Sequence, residues 1–113
     1  MIELIVKQHL EQNIENIPVV FEQPAEKPDQ YILIDKSGSG RANYINEAVM
    51  AIQSYGKTLS DALTLNERVK TVMYDLIQVH KVSKCELDTD YNFSDKDTKT
   101  YRYQAVFNII YHE

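Results

Sequence analysis

Apolar residues recur at steps of four and three from Ile2 through Val6, Leu10 and Ile14 to Ile17, with Glu3, Lys7, Glu11 and Glu15 off that stripe. The spacing predicts an amphipathic helix from Ile2 to about Ile17, stopped by Pro18. Val19-Val20-Phe21 is a short strand candidate. The loop after it holds Pro24 and Pro28, which supply no ladder donor and keep it at the surface.

The polar–apolar period then changes. Tyr31-Ile-Leu-Ile-Asp35 opens a strand that runs into Ser37-Gly-Ser-Gly-Arg41, read as a flexible turn. From about Tyr44 to Tyr55 the chain looks extended again, with Val49, Ala51, Gln53 and Tyr55 on one face and Ala48, Met50, Ile52 and Ser54 on the other. Gly56 breaks the pattern. Thr58 or Ser60 can cap a long helix whose face is Leu59, Ala62, Leu65, Val69, Val72, Met73 and Leu76.

Two alternating segments finish the chain. Cys85, Leu87, Thr89, Tyr91 and Phe93 oppose Glu86, Asp88, Asp90, Asn92 and Ser94. Tyr101, Tyr103, Ala105, Phe107, Ile109 and Tyr111 oppose Arg102, Gln104, Val106, Asn108, Ile110 and His112. Strict period two predicts an antiparallel hairpin joined by the polar run Ser94–Lys99. The expected fold is therefore a single α+β domain over residues 1–113, in the order α-β-β-β-α-β-β. Its sheet is mostly antiparallel, with two helices packed on one face.

Composition narrows the function classes. Net charge is -5, and the three arginines, Arg41, Arg68 and Arg102, are scattered, so nucleic-acid binding is not the expected primary role. A lone cysteine, Cys85, excludes an internal disulfide framework and fits folding in a reducing cytoplasm. No apolar run is long enough for a membrane helix, and Met-Ile-Glu does not open a signal peptide. Eight tyrosines without a tryptophan suit surfaces that are half apolar and half wet.

Candidate chemistry is sparse. Glu86, Asp88 and Asp90, two apart, would set three carboxylates along one strand face, where hard cations are conceivable. A row with ~6.5–7 Å between successive carboxylates is too wide for one ion, and a solvated face explains it. His9, His80 and His112 fall in different elements without ligand spacing, and Cys85 reads as a small strand residue. Ser37–Arg41 leads towards a strand, so it does not read as a phosphate-cradling loop. The face with Arg102, Gln104, Val106, Asn108 and Ile110 is too mixed for plain solvent exposure. It leaves open either a core with an ordinary outer face or a second buried surface in an oligomer.

Several segments carry a resemblance: Pro18-Val-Val-Phe-Glu-Gln-Pro, Tyr31-Ile-Leu-Ile-Asp-Lys-Ser-Gly, Ala51-Ile-Gln-Ser-Tyr-Gly, and Asp90-Tyr-Asn-Phe followed by Tyr101-Arg-Tyr-Gln-Ala-Val-Phe. Over nearly its whole length the chain resembles the small tail-terminator proteins of long-tailed bacteriophages and prophages, also labelled minor capsid, head–tail joining or tail-completion proteins. The resemblance implies a virion structural protein without catalytic residues, assembled in the host cytoplasm. Such a protein forms a ring, usually hexameric and possibly monomeric in free solution, at the head-proximal end of the tail tube. There it stops polymerisation of the tube protein and offers the head connector a docking surface, while DNA passes through without specific binding. On this reading Arg41, Asn43, Tyr44, Arg102 and Gln104 are expected at subunit contacts, and Glu86, Asp88 and Asp90 towards the lumen. The alternatives are a head-completion or stopper protein of the neck, a metal-dependent enzyme using Glu86, Asp88 and Asp90, and a soluble ligand-binding domain with a pocket between helix and sheet.

Overall fold

The chain runs α1 (Ile2–Asn13), β1 (Val19–Val20), β2 (Tyr31–Ala42), β3 (Ile45–Gly56), α2 (Leu59–Tyr74), β4 (Val82–Asn92) and β5 (Tyr101–Tyr111). The structure is a computed structural model and describes residues 1–42 and 44–112. It is α+β, in the order the hydrophobic pattern predicts. The sheet has five strands in the order β1-β2-β3-β5-β4. It is mixed: β1 lies parallel to β2, and the other neighbours are antiparallel.

Both helices cover the same face. Ala48, Met50 and Ile52 of β3 and Ala105, Phe107 and Ile109 of β5 meet Leu65, Val69 and Met73 of α2 in one buried cluster, which Ile2, Val6, Leu10 and Ile14 of the α1 region extend over Ile32 and Ile34. Removing these side chains from water is the main force holding the layers together.

The ends of the helices follow local chemistry. α1 stops at Asn13, short of Pro18, with Ile14 extended and Asn16 at a positive φ of 63°. Asparagine tolerates that left-handed geometry better than most residues. Thr58 caps α2, its Oγ1 accepting from the Asp61 N–H at 3.1 Å. Gly56 is needed for close approach, because a Cβ there would lie 2.5 Å from the Ala62 backbone nitrogen.

Two expectations are corrected. Ser37–Arg41 is no turn: it belongs to β2, which pairs with β3 as far as Ala42↔Ile45, and an extra residue at Ser37 forms a bulge. The alternation of Cys85–Phe93 is also broken. Leu87 pairs with Phe107 but Thr89 pairs with Val106, so Asp88 is an extra residue and the strand changes parity there. Cys85 and Leu87 face the helices, whereas Thr89 and Tyr91 lie on the opposite side.

Candidate functional site

Among the described residues no helix or second sheet covers the face of the sheet away from the helices, although the loop after β1 lies over one end of it. Towards one end it carries a compact cluster of Tyr31, Leu33 and Tyr55, each buried, with Val20 against them. Tyr31 and Tyr55 face each other across β2 and β3, their rings stacked 4.3 Å apart and 8° from parallel. Offset stacking of this kind contributes beyond the area it buries.

From this cluster a chain of side-chain hydrogen bonds crosses the sheet. The Tyr31 hydroxyl donates to Gln23 Oε1 at 2.7 Å, and Gln23 Nε2 donates to the Tyr55 hydroxyl at 2.7 Å. Tyr55 donates to Gln53 Oε1 at 2.8 Å, and Gln53 Nε2 donates to Gln104 Oε1 at 2.8 Å. Gln104 Nε2 then reaches the hydroxyl of Tyr91 on β4. The ladder thus spans β2, β3, β5 and β4 through planar groups whose donors and acceptors alternate. Such a network rigidifies a surface when every member is satisfied.

Arg102 locks one end of the ladder. Its Nη1 donates to the Tyr55 hydroxyl at 2.9 Å and its Nε to the Phe93 carbonyl at 2.8 Å, with the guanidinium 4.4 Å from the Phe93 ring centre. The Tyr55 hydroxyl accepts twice and donates once, which makes it the hub. Burial pushes the Tyr31 hydroxyl up to about 12, with the neighbouring Tyr55 adding to the rise and Arg102 opposing it. Tyr31 therefore stays protonated and donating throughout the physiological range.

The expected contact residues separate into two groups. Arg102 and Gln104 lie on the open face and are bonded within their own chain. Arg41 and Tyr44 lie at the far end of the β2–β3 hairpin, where Tyr44 is 84% exposed with φ 66° and the Arg41 guanidinium lies 5.9 Å from its ring centre. Asn43 falls outside the described residues.

The carboxylate row does not exist as a row. Glu86 pairs with Asn108 on the open face, Asp88 is the bulge residue, and Asp90 pairs with Ala105 on the helix side. There Asp90 Oδ2 accepts from Lys70 Nζ at 2.9 Å and from Asn66 Nδ2 at 3.0 Å, and Lys70 also meets Glu67. The bond from Lys70 holds the Asp90 carboxyl below the usual range. The bulge therefore separates the three carboxylates, and a lumen face shared by all of them is ruled out. Among the described residues no group of three or more His, Cys, Asp or Glu is placed to hold a metal ion.

The remaining single residues have local explanations. His9 is buried with Nε2 2.7 Å from the Val72 carbonyl, which fixes the proton on that nitrogen. Cys85 is buried, and desolvation pushes its thiol up to about 12, far from a reactive thiolate. His80 and His112, distant in sequence, come within 5.8 Å edge to face because the end of β5 returns beside the turn before β4.

Sequence reasoning missed Gln23, Gln53 and the central role of Tyr55. Gln53 and Tyr55 were on the correct face, but nothing local shows that a loop residue thirty positions away completes their bonding. No family model matches the chain, and no curated protein matches it either.

Proposed function

We propose that this chain is a structural virion protein that forms a ring on the head-proximal end of a phage tail tube, halts tube growth and docks the head connector. The observation that carries this reading is the open face of the sheet. It is cross-bonded from β2 to β4 by tyrosines, glutamines and an arginine, with Val49, Val106 and Ile110 half-buried among them. Aromatic, arginine and amide groups held on a stiff support suit an interface that must be apolar enough to close and polar enough to stay soluble alone. The resemblance to tail-terminator proteins adds weight, and the α+β order with both helices on one face agrees with it.

The net charge of -5 suits a ring through which DNA slides, since a basic lumen would grip the phosphates. Arg41 and Tyr44, exposed at the hairpin tip, are the side chains offered to a neighbour.

Electron microscopy of lysates from a phage with this reading frame disrupted tests the role. Over-long tubes detached from heads are the expected result. Tails of normal length beside unjoined or leaking heads would move the protein to the stopper position, and intact particles would overturn the proposal.

A further inference from the structure

The two edges of the sheet differ from its interior and match each other. β1 covers β2 only at Ile32 and Leu33, so among the described residues the outer side of β2 from Asp35 to Ala42 has no strand partner. That stretch is roughly 25 Å long at ~3.3 Å per residue. Such an edge is a template for another strand unless something blunts it. Here the bulge at Ser37 interrupts the stretch, but side chains do little to block it. Ser37-Gly-Ser-Gly40 carries almost no side-chain bulk, and Lys36 is folded back onto Glu3 of α1 at 3.2 Å.

β4 is the edge on the other side, and among the described residues it too is unpaired along its outer face, with extra residues at Ser83 and Asp88. Following the register across the sheet, Asp35 is level with Ala51, Val106 and Thr89, while Arg41 is level with Asn46, Tyr111 and Val82. The free stretch of β2 therefore lies at the same height as residues 82–89 of β4. The long strands β2, β3, β5 and β4 alternate in direction, so the two edges run oppositely. Copies repeated side by side in one orientation consequently bring β4 of one against β2 of the next as an antiparallel pair.

We infer that this chain self-associates by pairing the outer edge of β2, Asp35–Ala42, with the outer edge of β4, residues 82–89, of a second copy. This deepens the ring reading and rests on it for closure: the contact is heterologous, head to tail, and can close on itself.

The test uses the full chain at rising concentration, with assembly followed by sedimentation and backbone protection by hydrogen exchange. Assembly should bring protection to 35–42 and 82–89 together. Adjacent residues in a strand aim their N–H groups to opposite sides, so Ser39→Pro and Gly40→Pro form an internal control. One should break the ladder to β3 and lower the melting temperature. The other should leave the monomer's melting temperature unchanged and abolish assembly. Assembly that survives both variants, or protection confined to the open face or the helices, would overturn edge pairing and leave the ring reading intact. A chain that stays monomeric at every soluble concentration would overturn edge pairing too, while microscopy of the disrupted phage judges the ring separately.

Discussion

The two faces of one sheet are built from alternate residues of the same strands, yet they follow different rules. Under the helices, Met50, Ile52, Ala105 and Phe107 are all but sealed from water. Their contribution comes from area and close fit. On the other side, Gln53, Tyr55, Arg102 and Gln104 hold their places by directional bonds. The first arrangement is strong and indifferent to partners. The second is weaker, but it presents a fixed pattern of donors, acceptors and rings to whatever approaches. A protein that must fold first and assemble later gains from keeping the two apart.

The largest break in that comparison is expected from Phe107→Ala. It leaves a cavity beneath α2 and should cost about 3–5 kcal/mol in chemical denaturation. Tyr55→Phe removes the hub hydroxyl and strands Gln23, Gln53 and Arg102, for an expected loss of about 1–2 kcal/mol. A loss as large as that of Phe107→Ala would show that the open face is a second core.

Acid sharpens the comparison from the helix side. The Asp90 carboxyl titrates below its unfolded value because it bonds Lys70, so its contribution is present above about pH 4 and is lost as pH falls through the lower folded value. The stability gap between the native chain and Asp90→Asn, about 1 kcal/mol or less, should therefore exist at neutral pH and close in acid. The smallest effect on the fold is expected from Val106→Lys, about 0.5 kcal/mol or less. The same change should abolish assembly seen by sedimentation if the open face is buried in the ring.

How much of this was legible in the sequence follows from what each feature depends on. The helices and the long strands are local periodicities, so Ile2-Val6-Leu10 and the alternation through Tyr101–Tyr111 announced themselves. The assignment of Val49, Ala51, Gln53 and Tyr55 to one face holds for the same reason. The bulges at Ser37 and Asp88 are properties of pairing: they exist only relative to Met50–Val49 and Phe107–Val106. The parallel course of β1 and the meeting of His80 with His112 depend on where distant segments return. Arg102 was placed on the right face, but its bonds to Phe93 and Tyr55 were not legible, because they depend on the hairpin's path and on a strand far away in sequence.

The bulge at Asp88 has a consequence for how this stretch tolerates change. Beyond it, inside and outside are exchanged with respect to the count from Cys85. Deleting Asp88 would heal the strand: Leu87, Thr89, Asp90 and Tyr91 would follow one another in plain alternation, and Asp90 would keep its place beside Lys70. Point substitutions at Asp88 and its deletion should both pass quietly, whereas a residue gained or lost in the regular pairing on either side would turn the rest of the strand over. In any comparison of related chains, a strand one residue shorter at this point will keep the same inside and outside as this one.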